Sequence, residues 1–165
     1  MSQVLQCHLN IILKKRTNFV GTKTLCAALK TVQIGLKYKP TRMMIQDHIN
    51  VILYEISLPL MLLNQGEYEL WTENPIEYVR MQVDQSNPNS AKHIVKVLVK
   101  VICGIKPTKT RISPYLESYL QVLVNNLQQE TQDFRVKEAI LHSLGNLAEQ
   151  IGASKAMMAS MEPIL

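Results

Sequence analysis

Several things are scarce in this sequence, and each scarcity removes a class of answer. Aromatic residues make up 5% of the 165 residues, with a single Trp. Sheets favour aromatic and β-branched side chains, so a diet of Leu, Ile, Val, Ala and Met points to helices instead. The three cysteines, Cys7, Cys26 and Cys103, form no C-x-x-C and no even set. Each sits in an apolar helical pattern, so buried, reduced thiols are expected rather than a disulfide framework. Lys14, Lys15 and Arg16 follow a short apolar run instead of preceding one, which is not the order of a signal peptide. The longest apolar stretch, Val51–Leu63, contains Glu55 and Pro59 and is too short to span a bilayer, so no membrane insertion is expected.

Catalytic and ligating patterns are missing too. His8, His48, His93 and His142 form no H-x-x-x-H or H-E-x-x-H pair, and no metal site is expected from them. Val20-Gly21-Thr22-Lys23-Thr24 has the flavour of a phosphate loop. It lacks the adjacent Gly-Lys, the earlier glycine and the preceding strand that such a loop needs. There is no G-x-S-x-G, and the carboxylates are too scattered to nominate an acid/base pair. Neither an enzyme nor a cofactor is expected.

Acidic residues are absent from the first 46 positions, which hold eight Lys/Arg. Such a basic front end suits either a solvated set of helix faces, an acidic protein or nucleic acid. No acid lies between Asp84 and Glu117 either, and there Lys92, Lys96 and Lys100 form an i, i+4, i+8 ladder. The ladder reads as a possible face for an acidic partner, or as the solvated side opposite Ile94, Leu98 and Val101. Few aromatics lie nearby for base stacking, which disfavours nucleic acid.

What is present is apolar spacing of helical period, repeated along the chain. Helices are expected over 2–14, over 23–37 with Thr22 as cap, and over 42–63 with a kink near Pro59. Gln65-Gly66-Glu67 is read as closing that third segment, and 68–73 as a turn or partial helix. Asn74-Pro75-Ile76-Glu77 is a sharp start signal, with Asn74 as N-cap, Pro75 at the first position and Glu77 able to reach back to the cap amide. Further helices are expected over 91–103 capped by Ser90, over 113–128 and over 133–151. A last one begins at Ser154. The stripes name a core that includes Leu5, Leu9, Ile12, Leu29, Val32, Ile45, Ile52, Ile94, Leu98, Tyr119, Leu123, Ala139 and Ile140.

No strand is expected. Helix pairs recurring at about 40 residues are the mark of an all-α, HEAT/armadillo-like solenoid, in which each pair buries its face only against neighbours. The approximate units are 1–38, 42–85, 90–128 and 133–165 within one solenoid domain. Met157, Met158, Met161, Ile164 and Leu165 make an apolar ending, so the chain is expected to be a piece of a longer array.

One run is more specific. Glu69-Leu70-Trp71-Thr72-Glu73-Asn74-Pro75-Ile76-Glu77-Tyr78-Val79-Arg80-Met81-Gln82-Val83-Asp84 resembles a signature of the importin-β superfamily. It is most like the branch containing importin seven and importin eight, with Asn74 where Asp is usual. Arg135–Glu149 is similar to a second segment of that branch. The resemblance implies a nuclear transport receptor that shuttles between cytoplasm and nucleus. It implies protein cargo, nucleoporins and, through the full-length protein, Ran-GTP as partners, and a monomer. The residues the motif singles out are Trp71, Glu73, Asn74, Pro75, Glu77, Tyr78, Arg80 and Asp84. Physically, Trp71 is expected to plug a groove between helix pairs, and Arg80 to pair with Glu77 or Asp84. The rival reading is a HEAT scaffold without a transport cycle, and a third is nucleic-acid binding through the basic face.

Overall fold

The computed structural model describes residues 2–15, 17–84, 90–105, 113–129 and 133–152. Helix after helix follows, with no strand among the described residues. They are α1 (Ser2–Lys14), α2 (Thr22–Gly35), α3 (Lys39–Gln46), a π-helical stretch (Val51–Ser57), α4 (Leu58–Met61) and α5 (Gln65–Glu73). Then come α6 (Pro75–Asp84), α7 (Ala91–Cys103), α8 (Pro114–Leu127), α9 (Phe134–Asn146) and α10 (Ala148–Gly152). The expected helix from Ser154 and the apolar ending lie outside the described residues. No described helix is long and apolar enough to cross a membrane.

The helices stack through their predicted stripes. Neighbours in sequence pack as α1 on α2, α5 on α6, α7 on α8 and α8 on α9, while α7 also lies against α2 and α4. One continuous core runs from Leu5 on α1 to Ile151 on α10. Leu9, Ile12, Leu29, Val32, Ile45, Ile52, Leu98, Tyr119, Leu123, Ala139 and Ile140 are all fully buried. Each large aliphatic among them contributes about 1.5–3 kcal/mol of transfer free energy. Because a helix pair has two apolar sides, the burial is shared across neighbours rather than closed within a pair, as in a HEAT-like solenoid.

Several local expectations are corrected. Gly21, not Thr22, occupies the N-cap of α2, and no side chain caps it. The third helix starts earlier, at Lys39, because Pro40 fits the first turn where no donor is needed. It is then interrupted at Asp47 and His48, where the His48 amide closes a tight turn onto the Ile45 carbonyl at 2.9 Å.

Pro59 acts upstream rather than by a kink at the helix end. Its ring crowds the carbonyl four residues back and offers no N–H. The preceding turns widen to the π pattern, with the Leu58 amide reaching the Leu53 carbonyl. The segment 65–73 is a full helix. Asn64 Oδ1 accepts from the Glu67 amide and Glu67 Oε2 accepts from the Asn64 amide, both at 2.9 Å. That reciprocal capping box makes Gln65-Gly66-Glu67 the start of α5 rather than the end of the previous helix.

Finally, the 133–151 helix breaks at Leu147, whose amide is shared by the carbonyls of Ser143, Leu144 and Gly145. Among the thiols, Cys26 and Cys103 are buried, but Cys7 is exposed because it falls off the Leu5/Leu9/Ile12 stripe. Burial pushes the Cys103 thiol up to about 12.

Removing Leu98, fully buried on α7, leaves a cavity in the core of the stack. Leu98→Ala is expected to lose about 2–5 kcal/mol of stability. Asn64→Ala, which removes one cap, is expected to lose about 1 kcal/mol. Urea unfolding followed by circular dichroism measures both; equal losses would mean that the α7 layer is not the packed centre.

Candidate interaction site

The motif residues assemble around the α5–α6 corner. Asn74 serves both helices: its amide donates to the Leu70 carbonyl at 2.8 Å, ending α5, and its Oδ1 accepts from the Glu77 amide at 3.2 Å, starting α6. Pro75 takes the first position of α6. Since the Asn74 amide is already used, Glu77 does not close a capping box. It lies 3.7 Å from Arg80 instead, with both side chains well exposed. Such an exposed pair adds little stability. Glu73, the last residue of α5, is exposed. Asp84 ends α6 with its side chain outside the described residues.

Tyr78 is the inward anchor of this corner. It is buried, and its hydroxyl donates to Glu138 Oε1 on α9 at 2.9 Å. Trp71 stands edge-on to the Tyr78 ring at a centroid distance of 5.2 Å. Trp71 does not plug an inter-pair groove: it is 42% exposed. Nearby, Tyr68 packs on Phe134 at 5.3 Å, and the Arg135 guanidinium lies 6.0 Å from the Tyr68 ring centre. Arg135 is also held by Asp133 at 2.6 Å, and this hydrogen bond keeps the Asp133 carboxyl below its ordinary range. Two shallow clefts flank Trp71. One, of about 380 Å³, is lined by Tyr68, Trp71, Thr72, Pro75 and Phe134. The other, of about 370 Å³, is lined by Trp71, Pro75, Ile76, Val79 and Arg80. The corner thus offers exposed aromatic and apolar surface on a rigid double cap.

The lysine ladder does not form an open cationic face. Lys92 is buried, with Nζ 3.4 Å from both carboxylate oxygens of Glu67. The carboxylate that caps α5 therefore also pins α5 to α7. Lys100 leaves the ladder for Glu149 at 2.7 Å, a bond that lowers the Glu149 carboxyl. Lys96 is only partly exposed, and its pKa is lowered, first by burial and then by the charge of Lys92. Glu138 and Glu67 oppose that shift. Across from Lys96, the Asn146 side chain donates to the Lys96 carbonyl at 2.9 Å. His142, one turn beyond Glu138 on α9, is pushed down to about 4 by burial and then by the fields of Lys96 and Lys92. These groups make a polar seam joining α5, α6, α7 and α9. Glu67, Glu138 and His142 were missing from the sequence reading of the site; the Asn64-x-x-Glu67 spacing was the signal for the first.

The chain matches the Cse1 family model over residues 14–165. It is 23% identical to an importin β-like SAD2 homolog of Arabidopsis thaliana over 172 aligned residues, covering 99% of this chain and 16% of that protein. It is 24% identical to importin-8 of Danio rerio, covering 92% of this chain and 14% of the relative. For importin-8 of Homo sapiens the figures are 24%, 82% and 12%. The chain therefore spans about one-sixth or less of the length of these relatives. No solved structure matches it.

Two outcomes test the seam. Lys92→Met or Glu67→Leu alone strands a buried charge and is expected to lose about 3–5 kcal/mol, and the double variant less than either single one. Additive losses in a double-mutant cycle would show the pair to be uncoupled. For His142 the folded pKa lies below the ordinary 6.5, so the unfolded chain takes up its proton first as pH falls. The stability His142 lends is whole above about 6.5 and is lost as pH drops towards about 4. His142→Gln is expected to narrow the gap in melting temperature between about pH 7 and about pH 4.5. An unchanged gap would place the acid sensitivity elsewhere. With an all-helical stack, a family match over 14–165 and importin relatives on that same stretch, the chain belongs to the Cse1 family of importin-β-like proteins.

Proposed function

We propose that this chain is a segment of an importin-type nuclear transport receptor, working by reversible protein–protein binding rather than catalysis. The observation that supports it most directly is the family match over 14–165, laid on a helical stack whose motif corner presents exposed Trp71 between two apolar clefts. In this reading the units 1–38, 42–85, 90–128 and 133–165 form one continuous stretch of solenoid. Stacked helix pairs provide a long surface that can wrap a protein cargo and flex as it is released. Ran-GTP binding and cargo release belong to the full-length protein, which moves between cytoplasm and nucleus as a monomer.

The Trp71 corner is the proposed contact for phenylalanine-bearing segments of nucleoporins. Its clefts are small, apolar and edged by Arg80, which suits single aromatic anchors with weak, rapidly exchanging affinity. Glu73 and Glu77 rim it with charge that would select against acidic segments. Asn74, Pro75 and Tyr78 hold its shape, and Asp84 closes its helix. The Lys92, Lys96 and Lys100 ladder has a share in partner binding only through Lys96 and Lys100 at the edge of the seam, since Lys92 is consumed by Glu67.

Immobilised phenylalanine-glycine repeats are expected to retain the protein and to release Trp71→Ala about tenfold more readily, as for loss of an aromatic anchor worth about 1.4 kcal/mol. In parallel, the full-length gene product is expected to bind Ran-GTP and to lose a bound cargo in its presence. A full-length protein that neither binds Ran-GTP nor gives up any partner to it would leave a scaffold without a transport cycle.

A further inference from the structure

The α1–α3 end of the stack holds a groove that the motif corner does not involve. Val4, Leu5, Thr31, Ile34, Gly35, Tyr38, Pro40, Thr41 and Met44 line a space of about 650 Å³. Val4, Ile34 and Tyr38 are each more than half exposed along it. Gly35 forms part of its floor, because α1 and α3 approach so closely there that an added Cβ would stand 3.2 Å from Ile45 Cδ1 and 3.3 Å from Leu5 Cδ1.

The threonine hydroxyls of the groove are already committed. The Thr31 hydroxyl donates to the Ala27 carbonyl at 3.0 Å, and the Thr41 hydroxyl donates to the Gly35 carbonyl. Pro40 has no amide to offer, and in the turn between α2 and α3 the Lys37 and Tyr38 amides already donate to the Ile34 and Gly35 carbonyls. Among the described residues no strand edge lies there for an extended segment to pair with. A ligand that satisfies its own backbone, a helix, is the occupant such a lining accepts.

The rim carries cations. Lys37 and Lys39 flank Tyr38 and are exposed, and Arg42 lies one turn beyond it. Arg42 Nε donates to the Leu36 carbonyl at 2.9 Å, which fixes the side chain without cancelling its charge. No carboxylate occurs before Asp47, at the far end of α3. An apolar floor edged by Lys37, Lys39 and Arg42 complements an apolar stripe edged by anions, and it repels a basic one.

We propose that this groove docks an amphipathic helix of a partner protein whose apolar stripe is bordered by Asp and Glu. The proposal is independent of the transport reading: it names a second surface, between α1, α2 and α3, selecting acidic rather than aromatic partners. Leucines at i, i+4 and i+7 would enter between Val4, Ile34 and Met44, and the flanking carboxylates would meet Lys37, Lys39 and Arg42.

Two fluorescent helical peptides of about four turns, with the same Leu stripe and either Glu or Lys borders, provide the test by anisotropy against the intact chain. The Glu-bordered peptide is expected to bind at least about tenfold more tightly, and to weaken as salt is raised. Ile34→Asp is expected to abolish binding while helical content and melting stay unchanged, since Ile34 is 55% exposed. Lys37→Glu with Lys39→Glu is expected to reverse the preference between the peptides. Equal binding of both peptides, binding of neither, or binding indifferent to Ile34→Asp would overturn the proposal. So would concentration-dependent dimerisation abolished by Ile34→Asp, which would make a second copy the occupant. Displacement of the Glu-bordered peptide by single-stranded RNA would overturn it in favour of a nucleic-acid face.

Discussion

A single carboxylate, that of Glu67, connects the local and the tertiary structure of this chain. It closes the capping box that starts α5 and accepts the buried ammonium of Lys92 on α7. Capping is a local act, satisfying an amide that the helix cannot reach. The ion pair is a tertiary one, because two buried charges are tolerable only when each neutralises the other. With α5 held at its first turn, the rest of the corner follows. The Asn74 double cap turns the chain into α6, Tyr78 reaches Glu138 on α9, and Trp71 is left standing at the surface.

Around that pair the protein keeps polar groups inside an aliphatic stack. Leu, Ile and Val stripes alone would let α7 slide against its neighbours at similar energy, since ridges repeat every turn. A buried Lys–Glu pair, a Tyr–Glu hydrogen bond and an Asn146 bond to the Lys96 carbonyl each have one satisfactory register. Their worth is thus in specifying position more than in net stability. The depressed His142 fits the same seam: burial disfavours its charged form first, and the lysines already there add to that.

The two exposed surfaces differ in chemistry for reasons visible in their elements. The α5–α6 corner gathers Tyr68, Trp71, Tyr78 and Phe134, four of the nine aromatic residues of a chain poor in them. The α1–α3 groove has one aromatic, Tyr38, and a rim of cations. A solenoid has many faces and few demands on each, which lets such different surfaces coexist within a short stretch.

Helical period, caps and turn residues made the all-α class and most of the core legible without coordinates. Leu29, Val32, Ile52, Leu98, Tyr119 and Ala139 are buried where their stripes put them, because apolar spacing is a property of the strand of residues itself. The family motif was legible for the same reason. Local competition was harder to read: Pro59 widens the turns before it, and the Asn64–Glu67 box starts a helix where a closing turn was expected. Tertiary structure alone decided the fate of the charges. On a helix drawn in isolation Lys92, Lys96 and Lys100 share a face and point to solvent. Only the arrival of Glu67 and Glu149 from other helices makes the first buried and the last paired. A charge can be hidden only by a partner distant in sequence, and that partner is brought by packing.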